Sequence, residues 1–357
     1  MLVKIDERFK QDLEFIKEFL IEFQPISIIL YGSYGRDEGS WILDNIGKYV
    51  PYNDYDILVI IKNKIPKEII KSIRQNIACK IGIRWIDIDQ KTPNELKSLR
   101  TLIYNYDLKY ASKVIYGDDK IRDLIPEMDS TKIPLKDVEI LFFTRIWTFL
   151  GALNKKGTNV KIYGEDSRFF RNQMGKAILA IVDVLLIQKG QYNSSYKERY
   201  KRLKKYFQHK KELIELANWA LNEKLIPTAP DMTSDEIKVL YDKVYYQYFN
   251  EMFNALSKYH NRKIENSRNL EFIYRWGFSS LFRRIGWLLL KRNFQREKQI
   301  AMNIAQLYIA TSYNYGNTNS LYLKKGINSL KRINKTIPNN LTWDEARCMV
   351  AEMRLAG

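Results

Sequence analysis

The chain has 357 residues, 45% of them hydrophobic and 13% aromatic, and carries a formal net charge of +18 at pH 7. That length exceeds a single small core and that composition excludes wholesale disorder, so two or three folded domains are expected. Two cysteines, Cys79 and Cys348, and two histidines, His209 and His260, leave little room for a Cys/His metal centre, a disulfide framework or a Ser-His-Asp triad, which favours a site built from carboxylates.

The N-terminus carries charges through its first turns and shows no apolar leader. The longest near-apolar run, 272–290, is broken by Arg275, Arg283 and Arg284 and falls short of the roughly 18 uncharged residues a spanning helix needs. A soluble cytoplasmic protein is expected. The charge is unevenly placed: residues 1–130 hold 20 Lys and Arg against 21 Asp and Glu, and residues 131–357 hold 39 against 20. A basic body beside an acidic site suits a polyanionic partner.

In chain order, residues 6–22 show a helical stripe through Phe9, Leu13, Ile16 and Leu20. A β-type run, Ile28-Ile29-Leu30-Tyr31, stops at Gly32-Ser33. Residues 33–53 read as a short helix or turn and then a surface loop with Trp41. A second strand over 54–61 carries Asp54 and Asp56 on one face, because side chains alternate along a strand. Pro66 opens a helix to about residue 78. A third strand over 81–89 carries Asp87 and Asp89 on one face. Thr92-Pro93-Asn94-Glu95 is a capping-box pattern opening a helix toward Tyr104, and 113–117 is a last strand.

Two carboxylates side by side repel each other unless a cation lies between them. A Gly-Ser turn after a strand lets backbone N–H groups and a hydroxyl approach a phosphate. Gly32-Ser33, Asp54-Tyr55-Asp56 and a later acid, Asp87 or Asp89, occur in that order over residues 1–120. In this the chain resembles the DNA polymerase β-type nucleotidyltransferase superfamily. The 21 positions from Ser33 to Asp54 are more than minimal members have, which implies an inserted loop.

The resemblance implies an α+β multidomain fold class, with an N-terminal mixed sheet flanked by helices and all-α helical domains after it. It further implies two Mg²⁺ ions, or Mn²⁺, on Asp54, Asp56 and a third acid. Asp87, flanked by Ile86 and Ile88, is preferred as that acid; Asp89 shares its face and stays open. Asp54, Asp56 and Asp87 would be catalytic, with Gly32, Ser33 and Arg36 at the phosphates. The activity implied is transfer of a nucleoside monophosphate from a nucleoside triphosphate to a hydroxyl acceptor with release of pyrophosphate. The acceptor is left open among a small molecule, a nucleotide, an RNA end and a protein. The alternative is a non-catalytic module of the same fold that binds nucleic acid or a protein partner.

The remainder reads as helical. Helices are expected over 138–153 and 169–189, the second strongly apolar but for Lys176 and Asp183 and closed at Gly190. Ser194 or Ser195 caps a basic helix with Lys197, Lys201 and Lys204/Lys205 on one face. Lys176 and Lys197 are expected to hold nucleotide phosphates. The stretch from Pro227 to Ser234 is linker-like, giving domains over 1–130, 131–228 and 229–357. The last part, with helices including one over 278–290, mixes Tyr and Trp with Arg. That pattern reads first as a helix core with basic outer faces and second as a stacking surface.

Overall fold

The computed structural model describes residues 2–153, 160–276, 294–314 and 317–355. Two compact units result, each discontinuous in sequence. The first holds Met1–Asp137, Leu186–Ile214 and Leu221–Pro227; the second holds Val138–Leu185, Glu215–Ala220 and Thr228–Gly357. One passage between them, at Pro227 and Thr228, falls in the linker-like stretch. The architecture is mixed α/β, with helix predominating around a small mixed sheet.

In the first unit the elements are α1 (Leu2–Ile21), β1 (Ser27–Tyr31), α2 (Gly32–Gly35), β2 (Trp41–Leu43), β3 (Tyr49–Pro51), β4 (Asp56–Ile60), α3 (Lys67–Ile81), β5 (Asp87–Lys91), α4 (Pro93–Lys97), α5 (Ile103–Tyr110) and β6 (Lys113–Gly117). The sheet order is β5-β4-β1-β6. β1 runs antiparallel to both its neighbours, and β4 and β5 are parallel. Ile57, Leu58, Val59 and Ile60 of β4 are all fully buried, as a strand covered on both faces requires. Each contributes about 1.5–3 kcal/mol by leaving water. Ile28, Leu30, Ile57, Val59 and Ile88 join Ile16 and Leu20 of α1 and Ile70, Ile73 and Ile77 of α3 in one core. Ile29, Leu58 and Ile60 join Leu96 of α4 and Leu108 of α5 in another.

Several boundaries differ from the sequence reading. The residues after Ser40 form a β-hairpin, β2–β3, where a loop is expected; the Asp44 carboxylate accepts the N–H groups of Ile46 and Lys48 in its turn. α3 continues to Ile81 and is stopped by Gly82 in the left-handed region (φ 75), so the third strand begins at Asp87 and not at 81. The helix opened by the Thr92–Glu95 capping box ends at Lys97, and α5 starts afresh at Ile103. The Ile103 N–H is capped by the Asp137 carboxylate at 2.8 Å, a partner 34 positions away that no local pattern announces.

The first unit is completed by the C-terminal end of α7 (Gly164–Gln188), all of α8 (Tyr196–Tyr206) and both ends of α9 (Lys211–Leu225). Ser195 caps α8 through the Glu198 N–H. Buried Glu38 adds a second cap: its carboxylate accepts the Ser195 hydroxyl at 2.8 Å, the Tyr196 N–H at 2.8 Å and the Lys197 N–H at 3.1 Å. An anion at a helix N-terminus is favoured by the unpaired N–H groups and by the helix dipole.

Among its described residues the second unit is helical apart from a short strand pair and an isolated bridge between Ile162 and Met232. Ile178, Ile181 and Val184 of α7 are fully buried. Phe142 and Phe149 of α6 (Lys136–Gly151) meet Tyr248 and Phe249 of α10 (Ser234–His260), so this part of the aromatic stripe is core. Gly190, the residue expected to close α7, has φ 67. The helix expected over 278–290 lies outside the described residues. No described helix is long and apolar enough to cross a membrane.

Glu38→Ala removes three hydrogen bonds to one helix start and should lower unfolding free energy by about 1–3 kcal/mol. Urea denaturation of the variant beside the parent checks this. An unchanged midpoint would mean that α8 is held by other contacts.

Candidate metal site

The site starts where β1 ends. Gly32 has φ 65, and a Cβ added there would lie 1.8 Å from Asp56 Oδ2. Any side chain at this position must therefore displace the Asp56 carboxylate, while the backbone of the turn lies directly against it. Ser33 follows and is buried. Arg36 ties the turn down: its Nε donates to the Gly32 carbonyl at 3.0 Å, and one guanidinium nitrogen donates to Asp107 at 3.0 Å and to the Ser194 carbonyl at 2.7 Å. The Tyr192 hydroxyl also donates to Asp107, at 3.1 Å.

The acids come from adjacent strand ends. Asp56 and Asp87 are register partners in the parallel β4–β5 pair, so their side chains leave the same face of the sheet. Asp54 precedes Asp56 by two residues, and one oxygen from each of Asp54, Asp56 and Asp87 lies within 4.8 Å of the others. Tyr55 between them is fully buried, and its hydroxyl donates to Asp12 Oδ2 at 2.9 Å. Asp12 is in turn fixed by Arg8 at 2.8 Å, so α1 anchors the acidic segment from its apolar side. The Trp85 indole N–H donates to Asp87 Oδ1 at 2.7 Å.

This crowding is felt most at Asp56, whose carboxyl is pushed up to about 7. Burial is the largest cause and the charges of Asp54 and Asp87 come next, with Arg36 and Lys224 opposing them. Oxygen ligands bunched this closely match the donor set of hard divalent cations such as Mg²⁺ and Mn²⁺, and a cation among them would relieve the repulsion. The residues present fit such an ion.

Other expected site residues fall in different places. Asp89 shares the face but stays outside the cluster; its carboxylate bonds the Gln90 N–H at 2.8 Å and lies 3.7 Å from Lys91 Nζ, with the side chain 48% exposed. Arg36 is brought near the acids, but the hydrogen bonds above and the Tyr196 ring, 4.8 Å away, hold it inward as a positioning residue. Lys197 sits exposed in the first turn of α8, and Lys176 lies on α7 within the second unit.

The structure also adds residues the sequence did not single out. Lys224 at the end of α9 is buried (6% exposed), and its Nζ donates to Asn53 Oδ1 at 2.8 Å, next to Asp54. The Ser40 hydroxyl lies 2.7 Å from the same Asn53 oxygen and also within hydrogen-bond reach of the Lys224 carbonyl, with one proton to share between them. Tyr104 lies edge-on to Tyr31 with centroids 5.4 Å apart. Burial first, and the acids further down the order, raise its hydroxyl to about 12 and keep it protonated. Lys224 lies so far along the chain from Asn53 that no spacing signal links them.

The sign of the Asp56 shift gives a test. Unfolded, this carboxyl ionises in its ordinary range; folded and metal-free, it ionises near 7. The folded state therefore holds the extra proton between those values, and stability falls as pH rises through that window, by on the order of a few kcal/mol. In chelator, Asp56→Asn should melt above the parent at pH 8, with the gap shrinking as the pH is lowered toward 4. Added Mn²⁺ should raise the parent's melting temperature and leave the variant's in place. Equal response of the two proteins to Mn²⁺ would remove Asp56 from the ligand set. Comparison of the chain with protein-family models, with curated proteins and with solved structures gave no match, so the chemistry of the site rests on its own residues.

Proposed function

We propose that the chain is a divalent-cation-dependent nucleotidyltransferase of the DNA polymerase β type, which transfers a nucleoside monophosphate from a nucleoside triphosphate to a hydroxyl acceptor. The observation that carries this reading is the convergence of Asp54, Asp56 and Asp87 to within 4.8 Å beside a glycine turn lying against Asp56. An acidic cluster alone fits many cation sites. An acidic cluster with an open backbone turn on one of its carboxylates fits a cation that must share its coordination with a phosphate.

On this reading Asp54, Asp56 and Asp87 hold Mg²⁺ or Mn²⁺. Such ions offset the charge of a triphosphate and lower the pKa of an acceptor hydroxyl. The turn at Gly32–Ser33 is where the triphosphate approaches, since no side chain stands between its backbone and Asp56. Arg36 contributes by fixing the turn, and Lys224 by setting positive charge beside Asp56. The acceptor oxygen attacks the α-phosphorus in line, the bond from that phosphorus to the pyrophosphate oxygen breaks, and pyrophosphate leaves. Asp87, held by the Trp85 indole, takes the acceptor proton.

Incubation with each of the four ribonucleoside triphosphates and Mg²⁺ or Mn²⁺, followed by pyrophosphate release and product chromatography, tests the reading. Asp54→Ala, Asp56→Ala and Asp87→Asn should each lower the rate by roughly a thousandfold or more, the scale of lost transition-state electrostatics. Asp89→Asn should stay within roughly tenfold of the parent. Full turnover in Asp54→Ala, or a loss in Asp89→Asn as deep as in Asp87→Asn, would break the assignment.

A further inference from the structure

The first unit is electrically lopsided. Met1–Asp137 contains 22 Lys and Arg against 22 Asp and Glu, and Leu221–Pro227 is likewise balanced. Leu186–Ile214 contains nine Lys and Arg against two Glu. The whole excess of this unit thus lies on α8, its flanks and the start of α9.

Within that segment the two arginines are spoken for. Arg199 is buried, donates to the Ser194 carbonyl at 2.9 Å and stacks on Tyr196 at 4.1 Å; Arg202 pairs with Glu198 at 3.1 Å. Lysines make up most of the outer surface, beside Gln208, His209 and Glu212. Lys197, Lys201, Lys204, Lys205 and Lys211 are all exposed. Among the described residues Lys201 makes a long ion pair with Glu198, at 3.9 Å, which Arg202 holds more closely at 3.1 Å; no ion pair engages Lys197, Lys204, Lys205 or Lys211. Lys204 and Lys205 lie over the rings of Tyr200 and Tyr206, 4.8 and 5.2 Å from their centroids. Lys197, Lys201 and Lys204/Lys205 recur at one helical turn, which sets successive cations about 6 Å apart along one face.

We infer that this lysine face of α8 is a docking surface for a polynucleotide, recognised through its phosphate backbone. A row of exposed cations spread over successive turns, only one of them in an ion pair, suits a ligand that repeats its negative charge. An anionic membrane is disfavoured because an interfacial helix needs a free apolar face, and Leu203 of α8 is fully buried in its own unit. The helix start is fastened through Glu38 and Arg36 to the turn that carries Gly32, so the track leaves from beside the acidic cluster. This surface stands whether or not the cluster performs nucleotidyl transfer.

The test is fluorescence anisotropy with a labelled 20-nucleotide single-stranded RNA of mixed sequence, over a series of salt concentrations. The full chain should bind with a steep fall in affinity as salt rises. Lys201→Gln/Lys204→Gln/Lys205→Gln should weaken binding by roughly tenfold or more at low salt and reduce the log–log salt slope by about 2, from about 0.7 for each lost phosphate contact on a single strand. Thermal melting of the triple variant should match the parent, since all three side chains are exposed. Asp54→Ala/Asp56→Ala should bind RNA as the parent does, which separates this surface from the proposed reaction. Absence of RNA binding by the parent, an unchanged affinity and slope in the triple variant, or tighter binding to phosphatidylserine vesicles than to RNA would each overturn the inference.

Discussion

The structure of the first unit turns on a repulsion held in place. Parallel pairing of β4 and β5 in the register Asp56 to Asp87 sets two carboxylates side by side, and Asp54 joins them from the residue pair ahead of the strand. Like charges this close, partly withdrawn from water, oppose folding unless a proton or a cation intervenes. The rest of the unit supplies the counterforce. Four fully buried β4 residues fix the strand, Tyr55 is bonded to Asp12 behind it, and Arg36 and Lys224 set positive charge nearby. A cluster with no use would be relieved by any single neutral substitution. The proposed cation would supply a further counterforce.

Gly32 makes the same point from steric grounds. At φ 65, with a notional Cβ 1.8 Å from an Asp56 oxygen, the position accepts only glycine without moving the acid. The backbone of the turn, Arg36, Asp107, Tyr192 and the start of α8 then form one connected set of hydrogen bonds, so the acidic cluster and the lysine helix share an anchorage. The proposed phosphate chemistry at one end and the inferred polynucleotide surface along the helix make a consistent pair, and each rests on its own residues.

Much of this was legible in the sequence. The apolar runs of β1 and β4 mark buried strands, but the strand expected from Asp54 begins at Asp56, so two-residue alternation does not by itself place Asp54. The sequence favours Asp87, flanked by Ile86 and Ile88, but keeps Asp89 open because both share a face. In the structure Asp87 pairs with Asp56 and joins the cluster, whereas Asp89 pairs with Leu58, two residues further along the strand. Strand and helix ends were misplaced where the stop signal was a single residue such as Gly82, or a cap contributed from far away such as Asp137. The hairpin at Trp41 was hidden because its strands are only three residues each. Glu38 and Lys224 carry no local pattern at all; their roles come from partners more than a hundred positions distant.

The most direct measurement is equilibrium Mn²⁺ binding, followed by the loss of the free-ion electron paramagnetic resonance signal, for the parent and for Gly32→Ala, with and without a non-hydrolysable nucleoside triphosphate. The parent should bind Mn²⁺, and more tightly when the nucleotide is present, and Gly32→Ala should lose both, because the added methyl displaces the Asp56 carboxylate. Mn²⁺ binding that is identical in the two proteins, or indifferent to nucleotide, would contradict the claim that the glycine turn and the three acids form one phosphate-and-cation site.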